Sequence, residues 1–290
     1  YNTTTQTLKV APSIGAWASG GALNNARRAS ASAGIQTAAV SFGGQPGNSA
    51  KTEEYNGSAW ANGEAMTTGR SYIGGTGTLT AALGAAGYVS PGATSVATEE
   101  YDGTDWANGG NLNTTRYSGS TSGTQTAALH TGGATANAST NYGNTETYNG
   151  TSWTEVGDLN TGRRNVVSFG TQAAAMAAGG DPPNLALAEL WDGSSWTEVG
   201  DLNSGRNAGA GFGISTSGIF AGGGTVNTEE WDGTSWTEVA NLGTSRSSEG
   251  DAGVGTTALG MSSGGNIDDA GSTVTEEWAK SATARTVDTT

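Results

Sequence analysis

The nine residues Thr228-Glu-Glu-Trp-Asp-Gly-Thr-Ser-Trp236 decide how the chain is read, because near-copies of them end at Trp60, Trp106, Trp153 and Trp196. Five residues before each of these tryptophans stands a second aromatic residue: Tyr55, Tyr101, Tyr148, Trp191 and Trp231. Ten residues after each stands an arginine: Arg70, Arg116, Arg163, Arg206 and Arg246. Trp17 and Arg27 keep the same interval near the start. The six tryptophans are spaced by 43, 46, 47, 43 and 40 residues. Beyond each arginine come small residues, a Thr/Ala-rich segment such as Thr126-Ala-Ala-Leu129, and a glycine pair: Gly43-Gly44, Gly132-Gly133, Gly179-Gly180, Gly222-Gly223 and Gly264-Gly265, with Ala86-Gly87 in the second copy. Nearly all the variation in period falls between that pair and the next aromatic residue.

A unit of this length, with four β-rich segments and turn signals between them, has the period of a propeller blade, which cannot bury its faces alone and must stack. No helices are expected. Asn149-Gly150 and Asp192-Gly193 read as the centres of two-residue hairpins, with Tyr148 and Thr151 flanking the first. That arrangement predicts Trp153 on the same sheet face as Tyr148, diagonal to it. The small residues after each arginine suit innermost strands converging on an axis. The chain holds five whole units and two halves, so pairing the Trp17 strand with the three strands of residues 247–280 closes a ring and removes the free edge. The expectation is an all-β fold, a single six-bladed β-propeller over residues 15–280 with four antiparallel strands per blade. An N-terminal extension (1–14) and a C-terminal tail (281–290) flank it.

Composition narrows the function. The 290 residues include 49 glycines, no cysteine, and 26 acidic against 12 basic residues, a net charge of −14. There is no basic stripe to neutralise a phosphate backbone, which argues against nucleic acid. No apolar run reaches the length that spans a bilayer. Without cysteine there are no disulfides, thiolate metal sites or cysteine nucleophiles.

Two positions before the first aromatic residue of every unit stands a glutamate: Glu53, Glu99, Glu146, Glu189, Glu229 and Glu276. A catalytic residue is needed once, whereas a glutamate and an arginine that recur six times point to a repeated structural ion pair or arginine-to-backbone bond, Arg27 and its five counterparts included. The alternative is an arginine cluster for an anionic ligand. Setting six pairs aside leaves six basic and twenty acidic residues, so the remaining surface is acidic.

His130 is the single histidine, so a multi-histidine metal site is excluded and a Ser-His-Asp triad has one available base. Asp181, Asp268 and Asp269 stand in loops where calcium is conceivable, but no Asp-x-Asp-x-Asp-Gly ladder accompanies them. We therefore expect no metal and no cofactor. A galactose-oxidase-type centre fails for want of cysteine and histidines. The sialidase Asp-box, compared with Asp192-Gly-Ser-Ser-Trp196, has one more residue between Asp and Trp. A glycosidase built on two facing carboxylates is the enzyme reading left open.

The loops of variable length, residues 45–51, 88–97, 134–144, 181–187, 224–227 and 266–273, all emerge on one face of such a propeller, while the Tyr-Asn-Gly-Thr-Ser-Trp turns occupy the other. Diversity on one rim of a rigid scaffold suits recognition. The two longest adjacent loops carry Tyr88 and the Asn141-Tyr142 pair, suited to stacking on a sugar ring and hydrogen-bonding its hydroxyls. Asp181, Asn184, Asp268 and Asp269 are further ligand-binding candidates on the same rim.

The double glycine ending the second strand, followed by an aromatic residue, a tryptophan and an arginine, resembles the kelch family of propellers over roughly residues 15–280. The Gly/Thr/Ala-rich strands depart from ordinary kelch sequences. Together with Gly123-Thr-Gln-Thr-Ala-Ala-Leu129 and Trp153-Thr-Glu-Val-Gly-Asp-Leu-Asn-Thr-Gly-Arg163, they are similar to kelch-like virion proteins of marine bacteriophages, including cyanophages. The resemblance implies a non-enzymatic structural, fibre or adhesion protein of a phage particle. The expected partners are other virion proteins, with a host surface polysaccharide suggested by the rim loops; the oligomeric state is left open. The alternatives are a bacterial secreted or surface kelch binding module, which would be extracellular, and a glycan-active hydrolase.

Overall fold

The structure, a computed structural model, describes residues 15–90, 92–247, 253–268 and 270–280. The proposed extension 1–14, the tail 281–290 and Asp269 lie outside the described residues. The described residues contain no helix and form six four-stranded antiparallel sheets. Blade I comprises Ala31–Ile35, Ala38–Phe42, Thr52–Tyr55 and Trp60–Gly63; blade II Gly74–Thr78, Ala81–Ala85, Thr98–Tyr101 and Trp106–Asn108; blade III Ser120–Thr124, Ala127–Thr131, Thr145–Tyr148 and Trp153–Glu155. Blade IV comprises Val167–Thr171, Ala174–Ala178, Ala188–Trp191 and Trp196–Glu198; blade V Gly209–Ile214, Ser217–Gly222, Thr228–Trp231 and Trp236–Glu238.

Blade VI is assembled from both ends of the described chain. Gly253–Gly255, Leu259–Ser263 and Thr275–Lys280 supply three strands, and Gly15–Ser19 pairs with the last of these, Trp17 directly opposite Trp278. This closure leaves no unpaired edge at the junction where a ring must otherwise end.

Adjacent blades are held by aromatic wedges. In blades I–V the tryptophan opening the outermost strand is buried and stacks on the aromatic residue directly across the hairpin, with Tyr148 and Trp153 ring centroids 4.9 Å apart. Its indole N–H reaches back to the preceding blade: Trp60 donates to Thr275 Oγ1 at 3.0 Å, Trp106 to Thr52 at 3.0 Å, Trp153 to Thr98 at 2.9 Å and Trp196 to Thr145 at 3.0 Å. Blade V breaks the pattern. Ala188 stands where the other blades have threonine, and the buried Trp236 Nε1 has no partner. The tyrosines also cross the seam, Tyr148 Oη donating to Glu100 at 2.7 Å. Burial and that carboxylate push the Tyr148 hydroxyl up to about 12.

The register corrects one expectation. Trp153 lies opposite Tyr148 rather than diagonal to it, because the chain reverses around Gly150-Thr151 and not around Asn149-Gly150. Asn149 keeps a negative φ and uses its side chain instead: Oδ1 accepts from the N–H groups of Thr151 at 3.0 Å and Ser152 at 2.9 Å. Such local side-chain caps compete with a bare two-residue turn. Asp192 does the same for Ser194 and Ser195 at 2.8 and 2.9 Å, and these bonds hold its carboxyl at about 2.

The innermost strands line a central channel of about 130 Å³ with residues such as Ser32, Thr76, Ser122, Phe169, Phe212 and Val254. Near its end every innermost strand carries a glycine at φ between 105° and 121°: Gly34, Gly77, Gly123, Gly170, Gly213 and Gly255. At Gly123 a Cβ would stand 2.3 Å from the Ala127 carbonyl oxygen. That closeness, together with the left-handed backbone, makes glycine the fitting residue.

Candidate functional site

The recurring charges form six buried clamps. The Arg–Glu separations are 2.6 Å for Arg27–Glu53, 3.0 Å for Arg70–Glu99, 3.1 Å for Arg116–Glu146, 2.5 Å for Arg163–Glu189, 2.6 Å for Arg206–Glu229 and 3.3 Å for Arg246–Glu276. Each arginine stands in the segment leading into its blade, and each glutamate in that blade's third strand. The glutamate also accepts from backbone N–H groups of the incoming segment: for Glu146, Asn113 N at 2.7 Å and Thr114 N at 3.3 Å. The guanidinium groups spread over strand and loop carbonyls, as when Arg116 donates to Asn144 O at 3.1 Å. Burial lowers the Arg116 pKa to about 10, a fall that the Glu146 carboxylate opposes. Both charges are consumed in joining segments of the fold, and neither faces the channel lining.

His130 is equally internal. It is fully buried, its Nδ1 lies 2.8 Å from Thr121 Oγ1, and its ring meets Trp153 edge-on. Burial, reinforced by Arg116, holds its pKa well below the usual value. Among the described residues no three acidic, histidine or cysteine side chains gather as a metal site.

The unrepeated residues collect on the face formed by the loops after each second strand and between successive blades. Just ahead of the innermost strands, five residues adopt left-handed backbone conformations: Ala29, Tyr72, Ser118, Asn165 and Ala208, at φ between 51° and 56°. They form a belt across blades. Tyr72 N donates to Ala29 O at 2.7 Å, Ser118 N to Tyr72 O at 3.0 Å, Asn165 N to Ser118 O at 2.7 Å and Ala208 N to Asn165 O at 2.9 Å.

On this belt sits a group of tyrosines. Tyr117 meets Tyr72 edge-on at 5.5 Å between ring centroids and Tyr88 at 5.8 Å. The loop carrying Tyr88 folds as a small hairpin, Tyr88–Ser90 with Ala93–Thr94, and Tyr88 Oη accepts from Gly92 N at 2.7 Å. The sequence reading placed Tyr88 with Asn141-Tyr142. The structure puts all three on one face, but the Tyr88 ring meets Tyr117. Asn141 bridges to Ala134, which bridges to Tyr117, so it joins the same patch through the backbone.

Asp181 is ion-paired with Arg164, and Asn184 Oδ1 accepts from the Asn207 side chain at 2.5 Å. Asp268 is exposed. Sequence reasoning missed Tyr72 and Tyr117, although both follow a repeat arginine by one or two residues and could have been found as the aromatic exceptions at those positions. It also missed a polar recess beside Arg27, of about 330 Å³, lined by Asn24, Asn25, Gln45, Ser49 and Lys51.

The opposite face differs. Its inner hairpins expose Ile35, Ile214 and Leu259 at 52%, 54% and 48%, in the consecutive blades V, VI and I, whereas the first of these positions is Thr124 in blade III and Thr171 in blade IV.

No family's sequence profile matches the chain, and no curated protein matches it. Among solved structures the chain is similar to one described as "Structure of YjhT", with a TM-score of 0.72 and 14% identity, over 88% of this chain and 95% of that one. At that identity the likeness concerns architecture alone, and with the strand pairing it makes the chain a six-bladed β-propeller.

Proposed function

We propose that the chain is a kelch-type propeller that serves as a non-enzymatic structural or adhesion protein on a bacteriophage particle, its loop face touching a host surface glycan. The repeat dialect at residues 123–129 and 153–163 supports the kelch and virion parts of this reading. One observation carries the binding part. The six repeated Arg–Glu pairs and the lone histidine are buried in the scaffold, while Tyr72, Tyr88, Tyr117 and Tyr142 stay half-exposed on one face. Rigid frameworks that place unrepeated aromatic and amide groups on one rim are suited to recognition.

Immunogold labelling of purified particles with antibody raised against residues 15–280 tests the assignment. Labelled particles are the expected result. Antigen absent from particles but present on bacterial surfaces would replace it with the secreted-module reading, and release of oligosaccharides from host polysaccharide would replace it with a hydrolase.

A further inference from the structure

We infer that Tyr72, Tyr117 and Tyr88 together form a binding platform for the apolar face of a neutral pyranose ring. The inference rests on the glycan-adhesion reading above and gives it a location and a ligand class.

Among the described residues, the aromatic side chains that keep intermediate exposure are Trp17, Tyr72, Tyr88, Tyr117 and Tyr142. Trp17 is buttressed by Phe212 and Trp278 in the closing blade. The other four lie on the loop face, and three of them are in ring contact. The remaining described tyrosines, Tyr55, Tyr101 and Tyr148, are wedged between blades.

The belt position requires a left-handed conformation, and elsewhere it is filled by Ala29, Ser118, Asn165 and Ala208, which are small or of the type that tolerates φ above zero. Tyr72 is the bulky exception at φ 52°. A bulky residue held there is unfavourable, and such strain persists where the surroundings impose it, often at ligand sites. The inter-blade bonds at Tyr72 N and O impose it here.

Ser118 Oγ, Asn165 Oδ1 and Asn141 Oδ1 are buried atoms without hydrogen-bond partners. Ser118 is bonded through its backbone to both Tyr72 and Asn165. Aromatic faces take up the C–H face of a sugar, and amide and hydroxyl oxygens accept its hydroxyl protons, which here requires Ser118, Asn165 or Asn141 to turn its buried oxygen outward on binding. Of the rim arginines, Arg116 and Arg164 are paired with Glu146 and Asp181, Arg28 bridges to Gln45 through its backbone, and the chain's net charge is −14, so an anionic sugar is disfavoured. The exposed aliphatic residues Ile35, Ile214 and Leu259, which a protein partner would favour, are on the opposite face.

The test measures binding of the full chain to beads carrying dextran, mannan or galactan, and in parallel to host cells. Tyr72→Asn adopts the residue that blade IV already uses at this position, so it removes the ring without demanding a new backbone. We expect binding to at least one of the three polysaccharides, and a loss of about tenfold or more in affinity for Tyr72→Asn and for Tyr117→Ser, with thermal midpoints within a few degrees of the parent. Leu259→Ala, on the opposite face, should stay within about twofold, as expected of an exposed substitution away from the site. Tyrosine variants that bind like the parent, or a parent that binds none of the three polysaccharides, would overturn the inference. In those cases adhesion of the parent to host cells would leave the adhesion reading standing, and failure to adhere would remove both.

Discussion

Arg116 and Tyr117 are neighbours in the chain, yet one belongs to the buried scaffold and the other to the loop face. Arg116 has five counterparts, all arginine and all ion-paired with a glutamate of the same blade. The counterparts of Tyr117 are Arg28, Ser71, Arg164, Asn207 and Ser247, with no residue type common to all. Both sets of positions stay in register with the repeat, so the fold constrains the side chain at one and only the backbone at the next. A residue type that recurs in every blade is spent on the ring, and one that appears in a single blade is free for what the ring displays.

The contrast is broken most severely by emptying one clamp. Glu146→Ala leaves Arg116 buried without its carboxylate and leaves Asn113 N and Thr114 N without their acceptor. Loss of one partner of a buried pair typically costs about 3–5 kcal/mol. Tyr117→Ser, one residue from that arginine, should lose less, about 1–3 kcal/mol for its two ring contacts with Tyr72 and Tyr88. Chemical denaturation of the two variants measures the gap, and comparable losses would mean that the loop-face tyrosine is part of the scaffold.

A second effect concerns His130, whose folded-state pKa is lowered by burial. The unfolded chain therefore takes up a proton below about pH 6.5 that the folded chain does not, and stability falls as the pH drops, by up to about 1.4 kcal/mol per pH unit. Above that pH the effect is absent. In blade V the equivalent position holds Phe220, so His130→Phe should remove this part of the acid sensitivity while keeping the core filled. Unfolding curves of parent and variant between pH 7.5 and 5 on the order of those limits check it. Parallel pH profiles would show that His130 is not the responsible group.

The smallest change repairs a defect in the repeat. Ala188→Thr supplies the hydroxyl that Trp236 Nε1 lacks, in a place where the five other blades satisfy the same indole with threonine. A gain of about 0.5–1.5 kcal/mol is expected. A loss would mean that the blade IV–V seam is too tight for the extra atoms.

The ring and its clamps were legible because periodicity marks every structurally required position several times over. Trp60 and its copies fixed the period, Glu53 and its copies identified the partner of Arg27, and the two half-units at the ends implied closure. The register of the outer hairpin was not legible. It depends on whether Asn149 spends its side chain on its own turn, and that choice leaves no mark on the alternation of residues. The tyrosine platform was hidden for a different reason. Tyr72, Tyr88 and Tyr117 are separated by 16 and 29 residues and meet where blades II and III adjoin. A left-handed φ is expected of glycine or asparagine, so Tyr72 gave no sign of it.

The ring itself is most directly tested by joining its two ends. Ala16 and Ala279 face each other across the closing pair of strands, both are exposed, and the chain has no other cysteine to interfere. In the Ala16→Cys, Ala279→Cys double variant, closure predicts an intramolecular disulfide formed under mild oxidation, in monomer, and a raised unfolding midpoint once it forms. Thiols that stay free in the folded chain, or that oxidise only between molecules, would show that the first strand does not complete the last blade, and the six-bladed ring would be contradicted.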